Sequence, residues 1–115
     1  MKEIRYMEQK EILSRLDHTI LSPTATWEQV KAACDRGKEV GAAAVCIPPR
    51  VVKKAAAHVG NSVKLCTVVG FPNGYATPEV KVYETEDAIR NGADEIDMVI
   101  NPVSYTHLQT VHLWR

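Results

Sequence analysis

Two apolar stretches without polar alternation most constrain the fold of this chain. Residues 42–48 and 63–71 are rich in alanine, valine and cysteine, and the two stretches together contain one charged residue, Lys64. Such runs are typical of strands covered on both faces, as in a parallel sheet. The segments around them have helical apolar spacing and end at Gly41, Gly60 and Gly92, because glycine readily takes the left-handed conformation of a helix end. This alternation predicts right-handed βαβ units around a parallel sheet, and therefore an α/β fold.

The predicted helices carry their own start signals and charge pairs. Thr26 and Gln29 form a capping-box pattern, in which each side chain can satisfy a free backbone N–H group. Residues 2–16 are amphipathic and predict a cap helix ahead of the first strand. Lys81 and Glu84 stand one turn apart on the last helix, where a solvated ion pair is the favoured interpretation.

An aspartate occupies the middle of the last predicted strand, within residues 92–101. Strand alternation puts Glu95, Asp97, Val99 and Asn101 on one face. The apolar neighbours of Asp97 predict that its side chain is largely enclosed. An ionised carboxylate in an apolar enclosure is costly unless it is paired, so a strand that carries one usually uses it. The alternative is a structural aspartate held by a lysine or a backbone amide.

Charge, length and cysteine content narrow the class of function. The 115 residues include 14 basic and 14 acidic residues, so no net field attracts nucleic acid or an acidic membrane surface, and a small-molecule ligand is favoured. No apolar run is long enough to cross a bilayer and no signal core is present, so we expect a cytoplasmic protein. Three cysteines without C-x-x-C spacing predict reduced thiols and no zinc site.

The remaining motifs point to a barrel rather than a nucleotide-binding sheet. No glycine-rich dinucleotide or P-loop motif follows any predicted strand. The chain is less than half as long as a complete eight-stranded α/β barrel, which needs roughly 250 residues. Part of such a barrel is therefore the leading architecture.

Four short segments occur in order, one at each predicted strand. They are LDHT at 16–19, AVCIPP at 44–49, CTVVGFPNG at 66–74 and GADEIDMVIN at 92–101. Together, and with Lys81 and Glu84 between the last two, they make the chain resemble the N-terminal half of the class I, Schiff-base deoxyribose-phosphate aldolases. The resemblance implies the N-terminal half of a (β/α)8 TIM barrel, preceded by the cap helix and truncated after the fourth strand.

The resemblance also implies an activity. These aldolases reversibly cleave the phosphosugar 2-deoxy-D-ribose 5-phosphate into glyceraldehyde 3-phosphate and acetaldehyde through an imine on a later-strand lysine. They use no metal or other cofactor, and the intact protein is expected to be a homo-oligomer. Asp97 matches the family's proton donor and acceptor. Asp17 and Thr19 match positions near the substrate hydroxyls, Cys46 matches a thiol that lines the pocket, and Phe71 is a candidate pocket wall.

Each of these side chains also has a purely structural interpretation. Asp17 could cap the following turn, Thr19 could fill the strand, and Phe71 could pack in the core. No basic residue lies beside Cys46 in sequence to lower its pKa, so a small buried side chain is favoured over a nucleophile. His18 is expected to face the helices as a packing residue.

The end of the chain departs from the family pattern. Residues 102–115 show no helical stripe and are expected to be an artefactual or disordered tail, which leaves residues 1–101 as the partial aldolase domain. His107 and His112 lack i, i+4 spacing and a flanking carboxylate, so no metal site is predicted there. No lysine present falls at the carboxyl end of an inward strand face, so the chain alone is expected to be inactive.

Two other functions stay open at this point. One is a class I aldolase that acts on a different phosphosugar, with the same fold and the same later-strand lysine. The other is a non-enzymatic half-barrel that associates with a partner, or with itself, through its open sheet edges.

Overall fold

The computed structural model describes the backbone of residues 2–103 and the side chains of residues 8–103. Its elements are α1 (Lys2–Leu13), β1 (Asp17–Thr19), α2 (Trp27–Val40), β2 (Ala44–Ile47), a 3-10 turn (Pro49–Val51), α3 (Val52–Val59), β3 (Leu65–Val69), α4 (Pro78–Asn91) and β4 (Glu95–Met98). The strands form one parallel sheet in the order β1-β2-β3-β4. The predicted α/β alternation is confirmed, and the cap helix ends earlier than expected, at Leu13.

Helix α2 begins and ends as its sequence predicts. Thr26 Oγ1 accepts a hydrogen bond from the Gln29 amide at 3.2 Å, and Gln29 Oε1 accepts one from the Thr26 amide at 2.9 Å. The helix ends at Gly41, whose φ of 71° lies in the left-handed region that favours glycine. Helix α4 ends in the same way at Gly92, with a φ of 110°.

The main core lies between the sheet and the helices. Its buried members are Ala25, Val30, Ala33, Cys34, Val45, Ile47, Val51, Val52, Ala55, Val63 and Leu65. Gly37 brings α2 directly onto β2, because a Cβ added at this glycine would run into Val45 Cγ2. The same added atom would lie 3.8 Å from His18 Cβ, so His18 is on the helix side of β1, as predicted.

The opposite face of the sheet holds a second, smaller cluster. It contains Ala44, Cys46, Cys66 and Val68, with Leu21 packed against it. Strand alternation and the register of the sheet also place four side chains from the outer strands on this face, those of Asp17, Thr19, Glu95 and Asp97. We call this surface the inner face, and its polar members are Asp17, Thr19, Cys46, Cys66, Glu95 and Asp97.

The chain beyond β4 is described for only a few residues. The Val103 amide donates to Asn101 Oδ1 at 2.9 Å, so Asn101 caps the turn that follows the sheet. The predictions for the tail, including those for His107 and His112, fall on residues 104–115 and so outside the described part. Of the helices described, none combines the length and the apolar character needed to cross a membrane.

We expect Gly37→Ala to destabilise the fold even though alanine is the better helix former. The added methyl group would run into Val45 Cγ2, and overpacking of this kind costs about 1–3 kcal/mol. The measurement is the free energy of unfolding in urea. In the double variant with Val45→Ala the collision is relieved. Its loss of unfolding free energy should therefore be smaller than the sum of the losses in the two single variants. Additive losses would contradict the contact.

Candidate active site on the inner face

Carboxylates from the two outermost strands converge over the inner face. Asp17 is the first residue of β1 and Glu95 is the first residue of β4. Their carboxylate oxygens and the Cys66 Sγ atom nevertheless all lie within 4.8 Å of one another. Because β1 and β4 are at opposite edges of the sheet, this convergence requires strong curvature, as in the wall of a barrel.

Asp97 lies on the same face, two residues further along β4. Its charge, together with that of Asp17, raises the pKa of both the Cys46 thiol and the Cys66 thiol. Thr19 is in register with Cys46 on the neighbouring strand. The structure therefore brings together four of the five predicted site residues.

The two thiols are buried and face each other in register across β2 and β3, each 3% exposed. Burial is the main cause that raises the pKa of both thiols, and it carries the pKa of Cys66 to about 12. The neighbouring thiol also acts on each pKa, lowering that of Cys46 and raising that of Cys66. Because the thiolate is the reactive form, neither thiol is a good nucleophile at neutral pH, which favours a pocket-lining role for Cys46.

The prediction that Asp97 is enclosed is wrong for the described part of the chain. Asp97 is exposed, and so are Asp17 and Thr19, because the four described strands leave the inner face open to solvent. Among residues 8–103, no lysine or amide bonds to the Asp97 carboxylate, so the alternative of a structural aspartate gains no support. The Asp17 carboxylate likewise caps no turn within that range, although the Asp17 carbonyl accepts a hydrogen bond from Thr19 Oγ1 at 3.0 Å.

Phe71 lies apart from the other candidates, in the loop that follows β3. It is 48% exposed, so it is not a core residue, and its peptide bond to Pro72 is cis. It lines a cavity of about 130 Å³ between this loop and α4. The other lining residues are Gly70, Asn73, Gly74, Tyr75, Ala76 and Glu84. Phe71 is therefore at the carboxyl-end rim of the sheet and not on the inner face itself.

Lys81 and Glu84 make contacts that the sequence reasoning missed. Lys81 is 1% exposed, and its Nζ atom donates to the carbonyls of Gly74 and Val99, each at 2.8 Å. Glu84 Oε1 accepts a hydrogen bond from the Gly70 amide at 3.2 Å. The prediction of a solvated pair is therefore wrong. One signal was available, since Lys81 is seven residues before Ala88 and shares its buried helix stripe.

The convergent ligand atoms raise the question of a metal ion. Asp17, Glu95 and Cys66 together offer two oxygens and one sulfur within 4.8 Å of one another. A cysteine must lose its proton to bind a metal, and the raised pKa of Cys66, about 12, opposes this. The donor set is therefore poorly suited to a metal, and we assign none to it.

A family model now identifies the chain, matching residues 4–107 as a DeoC/LacD family aldolase. The chain belongs to the DeoC/LacD family of aldolases. The matched range extends beyond Asn101, so the boundary between an aldolase domain and a tail stays a prediction.

Relatives of this aldolase chain agree with the assignment. It is 53% identical over 92 residues to a deoxyribose-phosphate aldolase of Clostridioides difficile, which covers 80% of this chain and 42% of the relative. It is 55% identical over 95 residues to one of Streptococcus pyogenes, covering 83% of this chain and 43% of the relative. The chain thus spans less than half the length of these relatives.

Solved structures confirm the half-barrel fold of this aldolase chain. A putative deoxyribose-phosphate aldolase from Coccidioides immitis superimposes with a TM-score of 0.80 at 37% identity, over 86% of this chain and 40% of that one. The deoxyribose phosphate aldolase from Aeropyrum pernix, described as having a unique tetrameric structure, gives a TM-score of 0.77 at 30% identity, over 90% and 49%. The four parallel strands and the helices that connect them correspond to about half of the barrel in each of these.

We expect the paired variant Asp17→Asn, Asp97→Asn to raise the alkylation rates of Cys46 and Cys66 several-fold at pH 8. Removing the two negative charges lowers the pKa of both thiols and so increases the reactive thiolate fraction. Iodoacetamide labelling followed by peptide mass spectrometry gives the rate at each site. Cys34 is the internal control, because its pKa is raised by burial and by Asp35 instead. Equal acceleration at all three cysteines would indicate general loosening and contradict the assignment.

Proposed function

We propose that this chain carries the acid–base half of a class I deoxyribose-phosphate aldolase site. The substrate would be 2-deoxy-D-ribose 5-phosphate, cleaved reversibly into glyceraldehyde 3-phosphate and acetaldehyde. The observation that carries the proposal is the clustering of Asp97 with Asp17, Thr19 and Cys46 on the inner face, in a chain of this aldolase family.

The proposed role of Asp97 is proton exchange with the reacting carbons and oxygens. A lysine amine adds to the C1 carbonyl, and Asp97 gives a proton to the departing hydroxyl, so that water leaves and a cationic imine forms. The C2–C3 bond then breaks as the Asp97 carboxylate takes the proton of the C3 hydroxyl, which releases glyceraldehyde 3-phosphate and leaves an enamine. Asp97 protonates the enamine carbon, and hydrolysis of the resulting imine frees acetaldehyde.

The other inner-face residues have supporting roles in this proposal. Asp17 and Thr19 are exposed on β1. There the Asp17 carboxylate can accept hydrogen bonds from the sugar hydroxyls, and the Thr19 hydroxyl can either accept or donate one. Cys46 contributes a compact, protonated wall beneath them. Phe71, at the rim, would bound the entrance.

In this proposal none of the described lysines provides the amine. Lys64 precedes β3 and lies at the amino end of the sheet, opposite the edge where barrel active sites form. The Lys81 ammonium is buried against two carbonyls. We therefore propose that the amine comes from residues outside the described part and that the 115-residue chain alone is inactive.

Two further features belong to the proposal. The tetramer named for the Aeropyrum pernix relative supports a homo-oligomer for the complete enzyme. A charged phosphosugar substrate is retained within the cell, so we propose a cytoplasmic location.

A chimera tests the proposed activity directly. Residues 1–101 would be continued by the remaining part of the Clostridioides difficile relative, and acetaldehyde release would be followed with and without borohydride trapping of the imine. We expect turnover by the chimera and none by the 115-residue chain. Turnover or a trapped adduct with the chain alone would refute the proposed division of roles.

Asp97→Asn in the chimera should lower kcat by roughly 10²–10⁴-fold, the usual contribution of a positioned acid–base group. Asp35→Asn is the matched control, because Asp35 is exposed on α2 and pairs with His58 on the helix side. Equal activity of the two variants would remove Asp97 from the mechanism. A chimera that folds but stays inactive, together with self-association of the 115-residue chain through its sheet edges, would favour the non-enzymatic alternative.

A further inference from the structure

The Lys81 ammonium is held inside the protein at the carboxyl end of the sheet. Its side chain reaches from α4 to two backbone carbonyls, Gly74 O and Val99 O, each 2.8 Å from Nζ. A buried ammonium is tolerated only when its donors are satisfied. These carbonyls accept two hydrogen bonds from the ammonium group, so the position of the lysine and the positions of both backbone segments depend on one another.

The two carbonyls belong to different parts of the site rim. Gly74 closes the loop after β3, where its amide donates to the Gly70 carbonyl at 2.7 Å. Val99 follows the last residue of β4, and its amide donates to the Val69 carbonyl at 2.9 Å. Lys81 therefore ties the loop that contains Phe71 to the strand end that contains Asp97.

Glu84 fixes the other end of the same loop. It lies one turn after Lys81 on α4, and its Oε1 atom accepts a hydrogen bond from the Gly70 amide at 3.2 Å. One helix face thus holds both the beginning and the end of the loop. We call Lys81 and Glu84 together the rim clamp.

Two glycines of the loop lie close to neighbouring atoms around the rim clamp. A Cβ added at Gly70 would lie 2.9 Å from Lys81 Cε, and one added at Gly74 would run into the Ile100 carbonyl oxygen. Both glycines also have positive φ, of 65° and 75°, which other residues rarely adopt. Gly70 thus lets the loop pass close to the lysine side chain, and Gly74 lets it pass close to the backbone after β4.

We propose that Lys81 is a positioning residue for proton transfer, with Glu84 as its partner in the rim clamp. By holding the Val99 carbonyl, Lys81 sets the depth and direction of Asp97, which lies two residues earlier on the same strand. By holding Gly74, it sets the loop that presents Phe71. Lys81 itself touches no substrate. The expected effect on catalysis rests on the proposed aldolase function. The rim clamp itself does not, because it is defined by hydrogen bonds in the structure.

The catalytic test uses Lys81→Met in the chimera of residues 1–101 with the remaining part of the relative. We expect kcat to fall on the order of a hundredfold, because a displacement of about 1 Å can have that effect. The rate of deuterium incorporation from D2O into the methyl group of acetaldehyde should fall in parallel, since this rate reports enamine protonation. The adduct trapped by borohydride after long incubation should be unchanged, since the imine amine lies elsewhere. Lys53→Met, at an exposed position on α3, is the matched control and should change none of these.

The outcomes separate a positioning role from a merely structural one. The proposal is overturned if the amount of trapped adduct falls together with kcat and the rate of deuterium incorporation into acetaldehyde. It is also overturned if none of the three changes. If Lys81→Met does not fold, Glu84→Ala replaces it, and a selective fall in deuterium incorporation is again required.

A second readout keeps the clamp distinct from the proposed function. In the 115-residue chain, Lys81→Met should speed hydrogen exchange at the Gly74 and Val99 amides relative to the Val45 amide, which bonds to the Lys64 carbonyl. An inactive wild-type chimera with this exchange pattern would defeat the proposed function and leave the clamp standing. Unchanged exchange at Gly74 and Val99 would overturn the clamp.

Discussion

The alternation of side chains along four parallel strands decides what each face of the sheet does. One face is apolar and receives the helices, with α2 brought close by Gly37. The other carries thiols and carboxylates. Because the strands are parallel and curved, the first residues of β1 and β4 bring their carboxylates within 4.8 Å although they start at opposite edges. The placement of every candidate site residue except Phe71 follows from this alternation.

The inner face combines negative charge with protonated thiols. Asp17, Glu95 and Asp97 form no ion pair with any lysine, arginine or histidine in the part of the chain that the structure describes. The charges of Asp17 and Asp97 oppose ionisation of Cys46 and Cys66. The same charges would favour a cationic imine, whose charge develops on a nitrogen brought to this face. The carboxylates and the inert thiols are thus compatible parts of one chemistry under the proposed function.

The sequence predicted those features that depend on neighbouring residues. Strand and helix order, the Thr26 capping box, the helix end at Gly41 and the helix-facing side chain of His18 all follow from local patterns. The resemblance added the family and the side chains that share the inner face.

Features that depend on distant segments were missed. The exposure of Asp97 depends on whether other strands cover the inner face, which the strand's own residues cannot determine. The contact of Cys66 with Asp17 and Glu95 depends on the curvature of the whole sheet. The burial of Lys81 depends on two carbonyls, seven and eighteen residues away in sequence, and no helical pattern reveals such acceptors.

The order of the strands in space is also their order along the chain. Each new strand therefore pairs with the one synthesised just before it, and none has to insert between two partners. At a translation rate of about 5–20 residues per second, the sheet can grow one unit at a time while later residues are still on the ribosome. At each stage of synthesis the newest strand is then the exposed edge of the sheet.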